Sequence, residues 1–241
     1  MTRLFHVSDL HFGAEDVQAL DWFAHAARTE QPDAVIVTGD VTMRARRREF
    51  AAASAWLASL GCPVTVEVGN HDLPYFNPVA RLIRPYARYH RLERMIEQPL
   101  EIEGVGIVPL RTTARVQWRL NWSKGKVSRG ALATTLGEIS ALSQGVTLIA
   151  AHHPLIDTGT SGTARTHGGA QALAALAAAG ADAILSGHVH DPFDIAHRIG
   201  DRTVRLIGAG TLSERVRATR PSFNELRIAG RAIGVNVRAM D

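Results

Sequence analysis

Cysteine is almost absent: Cys62 stands alone in a chain of 241 residues. One thiol allows neither an intrachain disulfide nor a thiolate metal cluster, and the expected compartment is the cytoplasm. Lysine is scarce as well. Of 27 cationic side chains only Lys124 and Lys126 are lysines, leaving 25 arginines against 23 acidic groups and a formal net charge of +4. The guanidinium fork matches carboxylates and phosphates, so this balance tolerates an anionic partner without demanding one, and a compositional bias explains it equally. Long apolar runs are missing too. Asp9 and His11 cut the first one too early for a signal sequence, and Leu173 to Ala181 falls far short of the ~20 residues of a membrane span. No membrane span is expected. Asn121-Trp122-Ser123 matches a glycosylation acceptor, which without export is a chance match. The chain does have 46% hydrophobic and 21% charged residues, enough for one sizeable core. Disorder and collagen-like repeats are excluded, and a single domain over 1–241 is expected.

Short apolar runs alternate with helical patterns. Leu4 to Val7 reads as a strand, and Val17, Leu20, Phe23, Ala24 and Ala27 then share one face of a helix over about 17–28. Ala34 to Val37 is a continuous apolar run of the kind buried on both faces. A helix over about 46–60 and a strand over 64–68 follow. Pro74, Pro78, Pro85 and Pro99 then allow only short helical pieces. Leu100 to Ile102 and Val105 to Leu110 read as a strand pair about Gly104, and a loop with Trp118 and Trp122 leads to a helix over about 131–142. Val146 to Ala151 and Ala183 to Ser186 are strands on either side of an alanine-rich helix ending near Gly180.

The tail changes character. Phe193 to Ile199, Thr203 to Ile207, Phe223 to Ile228 and Ile233 to Val237 succeed one another without helices, which predicts antiparallel pairing. No linker separates this tail from the alternating part. The expected fold class is therefore α/β, with two packed sheets and helices outside.

Five polar clusters each follow an apolar run: Asp9-Leu10-His11, Gly39-Asp40, Gly69-Asn70-His71-Asp72, His152-His153-Pro154 and Gly187-His188-Val189-His190. Ligands of α/β sheets bind at the carboxyl ends of strands, so these clusters can converge on one rim. Their oxygens and imidazoles suit Mn, Fe, Zn, Co or Ni. On an extended chain Asp9 would project with His11, and His188 with His190. Two carboxylates, an amide and four imidazoles exceed what one ion needs; two ions sharing a carboxylate would use them. Two divalent ions against Asp9 and Asp40 leave a core of about +2, reduced to about +1 by a bridging hydroxide, which attracts a phosphate. The residues thus point to metal-dependent phosphoester hydrolysis.

The ordered series Asp-x-His, Gly-Asp, Gly-Asn-His-Asp, His-x-Pro and Gly-His-x-His resembles the calcineurin-like metallophosphoesterases, over Asp9 to His190 and in family order. The chain length resembles bacterial members near the cyclic-nucleotide phosphodiesterase branch. The resemblance implies a four-layer α/β/β/α sandwich of two mixed β-sheets flanked by helices. It implies two divalent or trivalent metal ions (Mn, Fe, Zn or Co), the first held by Asp9, His11 and His190, the second by Asn70, His152 and His188, with Asp40 bridging. His71 would be the leaving-group acid or electrostatic stabiliser, with Asp72 orienting its ring. A bridging hydroxide would attack the phosphorus of a small phosphodiester, a nucleotide among others, in line. A phosphomonoesterase and a nuclease with an arginine-rich binding surface are the alternatives. A non-catalytic interaction protein would be expected to have lost ligands that are all present here.

Other residues have blander readings. His6, His25, His90, His167 and His197 read as structural or surface residues, and His167, in a glycine-rich loop, is the best outsider among them. Arg44, Arg46, Arg47 and Arg48 lie near a helix start, where the dipole disfavours cations by ~0.3–1 kcal/mol. A nearby anion would offset that cost, and an exposed helix end is the simpler account. Arg81, Arg84, Arg88, Arg91 and Arg94 interleave with Tyr75, Tyr86 and Tyr89, and could line a substrate wall.

Overall fold

The computed structural model describes residues 1–96, 100–115, 123–143, 145–162 and 166–241. Strands β1 (Thr2–Val7), β2 (Ala34–Val37) and β3 (Val64–Val66) run parallel, linked by α1 (Val17–Glu30) and α2 (Arg47–Ala58). Two short helices follow, α3 (Pro78–Ile83) and α4 (Ala87–Ile96), interrupted at Pro85 as its missing amide donor requires. A second parallel series, β4 (Val105–Leu110), β5 (Val146–Ala151) and β6 (Ala183–Ser186), carries α5 (Arg129–Ala141) and α6 (Gly169–Ala179). The chain then gives β7 (Phe193–Ile199), β8 (Arg202–Gly208), β9 (Ser222–Ala229) and β10 (Ala232–Ala239).

The last four strands form two antiparallel pairs that part company. β8 lies parallel to β6, while β9 crosses to lie antiparallel to β1. The sheet orders are β10-β9-β1-β2-β3 and β4-β5-β6-β8-β7, so both sheets are mixed. Burial with a period of two sets the layers. Leu4, Ile36, Leu148, Leu185, Ile207 and Leu226 form one core between the sheets. Phe5, Val7, Val35 and Val37 face the opposite way, onto Phe23, Phe50 and Leu92 of α1, α2 and α4. On the far side Ile149, Ile184 and Leu206 meet Leu173 and Leu176 of α6 and Ile139 of α5. This is the expected four-layer α/β/β/α sandwich.

Three details differ from the sequence reading. Val17 is exposed at the first turn of α1 and Ala26 is buried instead. Leu100 to Ile102 is not a strand: Ile102 makes one isolated bridge to Val105 across Gly104, whose φ is +72°. Part of the tyrosine and arginine segment is structural. Arg81 is buried with Nε donating to the Arg115 carbonyl, Tyr89 donates its hydroxyl to the Val66 carbonyl, and Arg88 reaches the Ala45 carbonyl. Backbone groups take these three side chains away from any substrate wall, while Tyr86 lines a cavity with Arg111 and Arg115. Trp118, Asn121 and Trp122 lie outside the described residues. Among the described residues, no helix is long and apolar enough to cross a membrane.

Candidate metal centre

The parallel strands of both sheets end at one rim, and there the backbone bends sharply. Asp9 (φ 55°), His11 (φ 47°), Asp40 (φ 50°), His188 (φ 70°) and His190 (φ 59°) all lie in the left-handed region. Asp and His tolerate it better than most residues, at a cost of order 1–3 kcal/mol each that surrounding contacts must offset. This corrects the extended-chain expectation for Asp9 with His11 and His188 with His190. The pairs do converge, but through these turns and not through strand alternation. Hydrogen bonds hold the turns. The amides of Asp9 and His11 donate to the carbonyls of Gly39 and Asp40, both at 3.0 Å, and the His188 amide donates to Asp9 Oδ2 at 2.8 Å.

One ligand atom each from Asp9, His11 and His190 lies within 4.8 Å of the others, and so do atoms of Asp9, Asp40 and His152. His190 Nε2 is 3.1 Å from Asp9 Oδ1 and 3.3 Å from His11 Nε2. Asp40 Oδ2 is 3.3 Å from His152 Nε2 and 4.0 Å from His11 Nε2, so this carboxylate stands between the two groups. Asn70 Oδ1 lies 3.1 Å from His152 Nε2, and the His188 ring centroid is 5.2 Å from that of His152. His152 Nδ1 faces the Thr38 carbonyl at 2.8 Å and His190 Nδ1 the Arg215 carbonyl at 2.6 Å. A carbonyl at Nδ1 places the proton there and turns the Nε2 lone pair toward the cluster, the arrangement in which histidine binds metals. Asp9 Oδ1 is buried, and among the described residues its contacts are the imidazoles of His190 at 3.1 Å and His11 at 3.6 Å.

Asp9 and Asp40 are fully buried, and their ion-pair partners among the described residues are histidines only. Burial alone would raise both carboxyls, but His190 beside Asp9 and His152 beside Asp40 hold them well below the usual range. The imidazoles respond in kind. Against the opposing effect of burial, Asp40 pushes His152 up to about 9 and Asp9 raises His190. Burial, reinforced by His152, lowers His188 to about 3. A buried pair of carboxylates that draws protons onto histidines is one from which a cation would displace them. The donor set therefore fits hard or borderline metal ions.

The neighbours of the cluster divide by role. His71 faces the cavity, its Nδ1 2.8 Å from the Met43 carbonyl. Asp72 does not orient that ring, contrary to the expectation. Its carboxylate accepts from the amides of Val41, Thr42 and Gly69 and from the Thr42 hydroxyl, which ties the loop after β2 to the loop after β3. Burial and the Asp40 charge push it up to about 6. His153 is engaged at both nitrogens, by the Thr112 hydroxyl at 2.8 Å and the Ser123 carbonyl at 2.9 Å. His167 and His25 are exposed, His90 pairs with Glu93, and His6 is buried against Thr38 and Asn224. Arg44 and Arg46 stack on Phe76, and both their amides donate to Glu49, so a side chain of this protein supplies the compensating anion. Sequence reasoning misses Arg215. It lies after β8 in a tail that carries no motif, yet its Nη1 is 3.2 Å from His71 Nε2.

Glu67, just past β3, is buried 4.0 Å from Arg111 Nε. Burial outweighs that arginine and raises the carboxyl from 4.5 to about 7. The folded state thus holds this proton more tightly than the unfolded chain. The associated stability is present in full below about pH 4.5 and is lost as pH rises through about 7, an amplitude of ~3 kcal/mol. Thermal melts of the wild type and Glu67→Gln at a series of pH values test this. The variant should gain on the wild type progressively from pH 5 to 8, and parallel curves would refute the shift.

Residues 2–192 match the family model described as calcineurin-like phosphoesterase. The chain belongs to the calcineurin-like phosphoesterase family. The family is one of dinuclear metal phosphoesterases, and the His/Asp cluster of this chain supplies candidate ligands. It is 36% identical over 84 residues to the D component of the SbcCD nuclease of Escherichia coli K12, a match covering 29% of this chain and 21% of that protein. A dimetal phosphatase from Danio rerio superposes with a TM-score of 0.72 at 14% identity, covering 99% of this chain and 96% of the other. The phosphopantetheinyl hydrolase of Mycobacterium tuberculosis superposes at 0.57 with 20% identity, over 87% of this chain and 90% of that one. These structural likenesses establish the fold of the chain. The matched family residues end two positions after His190, so Arg215 lies beyond them.

Proposed function

We propose that the chain, as one domain over 1–241, is a cytoplasmic binuclear metal-dependent phosphodiesterase. The observation that carries this is the convergence of Asp9, His11, Asp40, Asn70, His152, His188 and His190 on one rim, with Asp9 Oδ1 buried against the imidazoles of His11 and His190. Asp9, His11 and His190 would hold one ion and Asn70, His152 and His188 the other, with Asp40 serving both. Bound there, the ions supply an activated water and positive charge for the phosphoryl oxygens. The protein supplies the rest. The Thr38 and Arg215 carbonyls keep the His152 and His190 lone pairs aimed inward. The cavity, of about 290 Å³, is lined by His71 and by the cations Lys124, Arg215 and Arg217, which suit it to a phosphoester anion.

His71 stands over that cavity with its proton on Nδ1, facing Met43. Acting as leaving-group acid requires a second proton on Nε2, whereas electrostatic stabilisation does not. The likeness to the cyclic-nucleotide branch favours a diester. The match to a nuclease component makes an oligonucleotide the second reading, which predicts binding that weakens steeply with salt.

The test is hydrolysis of bis(p-nitrophenyl) phosphate against p-nitrophenyl phosphate by metal-stripped protein reloaded with Mn²⁺. A preference for the diester is expected, a preference for the monoester would make the protein a phosphatase, and inactivity after confirmed loading would return it to the non-catalytic class. With alkyl-leaving diesters added to that assay, His71→Ala should lower their turnover about 10²-fold or more beyond any loss with nitrophenyl esters. Equal losses would reject the acid role.

A further inference from the structure

Arg215 sits in the connection between β8 and β9 and lines the cavity beside Asp40, Asn70, His71, His188 and His190. Its guanidinium Nη1 lies 3.2 Å from His71 Nε2, 3.4 Å from His11 Nε2 and 3.8 Å from Met43 Sδ. Among the described residues no carboxylate pairs with it. A guanidinium half-withdrawn from water is stabilised by anions, and here it meets only imidazole lone pairs and a thioether. The anion it lacks is the one a phosphoester brings.

The connection is held firmly enough to aim the side chain. Thr211 donates its hydroxyl to the Asp9 carbonyl at 2.6 Å, the Asp16 amide donates to the Leu212 carbonyl at 3.3 Å, and the Glu214 amide donates to the Ala14 carbonyl at 3.1 Å. Both ends of the aiming are thus tied to the loop after β1. His71 completes it: with its proton on Nδ1, its Nε2 accepts from the guanidinium and holds the fork over the cavity. The backbone of Arg215 has a separate task, since its carbonyl orients His190.

We infer that Arg215 is a substrate-binding residue whose guanidinium takes a non-bridging oxygen of the phosphoryl group beneath His71. The inference rests on the proposed phosphoesterase activity and adds a contact from outside the matched family residues. Because the carbonyl survives substitution, side-chain and backbone roles separate in one position.

The experiment uses the full chain loaded with Mn²⁺ and compares the wild type with Arg215→Ala, Arg215→Lys and Arg220→Ala, the last an exposed arginine of the same connection. Manganese content, calorimetric binding of inorganic phosphate, and KM and kcat for bis(p-nitrophenyl) phosphate are measured. Arg215→Ala should keep wild-type manganese, bind phosphate about tenfold or more weakly and raise KM by a similar factor, as loss of a charged hydrogen bond predicts. Arg215→Lys should recover part of the phosphate binding, and Arg220→Ala should match the wild type. Phosphate binding and KM within about twofold of wild type in Arg215→Ala would overturn the inference, because a charged hydrogen bond costs more than that. Loss of manganese in step with phosphate would overturn it too, by showing a structural role. If the wild type hydrolyses no ester, the proposed activity fails, while the phosphate titration still decides the place of Arg215.

Discussion

Replacing Asp40 by asparagine should abolish metal-dependent ester hydrolysis while leaving the chain folded. Asp40 Oδ2 lies 3.3 Å from His152 Nε2 and 4.0 Å from His11 Nε2, so a single carboxylate is within reach of both halves of the cluster. Its Oδ1 accepts the His71 amide at 2.7 Å. Asparagine keeps the shape and the acceptor for that amide and removes only the charge. Turnover of bis(p-nitrophenyl) phosphate should fall by about 10³-fold or more if the charge serves two ions at once. Manganese bound per chain, read by elemental analysis, should drop by at least one ion, with a melting temperature within about 5 °C of the wild type. Activity within tenfold of the wild type at full metal content would remove Asp40 from its shared position.

The second large effect is at Gly187, at the end of β6, which packs closely against the residues that follow β1. A Cβ there would run into Ser8 Oγ and Cβ and into Asp9 Oδ2. Neither neighbour is free to yield. Ser8 Oγ donates to the Thr38 carbonyl at 3.0 Å, and Asp9 Oδ2 accepts the His188 amide at 2.8 Å. Gly187→Ala must therefore push the end of β6 away from the end of β1, splitting the cluster between its two sheets. Overpacking of this kind costs ~1–3 kcal/mol, which in a chain of this length is a drop of roughly 3–10 °C in melting temperature. Metal binding should weaken with it. Gly137→Ala is the control, since a Cβ at that position of α5 meets nothing within 4 Å. An unchanged melting temperature and metal content in Gly187→Ala would show that the approach is not constrained there.

The strands of the parallel series are legible because burial on both faces leaves a continuous apolar run, and Ala34–Val37, Val146–Ala151 and Ala183–Ser186 fall where those runs fall. The polar clusters are legible because each begins where such a run stops. Arg215 is not, because nothing local distinguishes it from 24 other arginines. Only the crossing of β9 to the first sheet brings its connection over His71. The roles of Asp72, Arg81, Arg88 and Tyr89 escape the sequence for a related reason. A polar side chain near a motif reads the same whether it faces a ligand or a buried backbone amide.

By itself, then, the sequence determined the α/β alternation, the helix break at Pro85, the antiparallel tail and the inventory of oxygen and imidazole ligands. These depend on residue type and short-range spacing, which the linear order carries. Which tail hairpin joins which sheet, the left-handed turns at Asp9, His11, Asp40, His188 and His190, and the placing of Arg215 over the cavity were decided by the tertiary structure alone. Each requires strand ends distant in sequence to meet at hydrogen-bonding distance, and the energy that holds a strained turn there comes from the partner it meets.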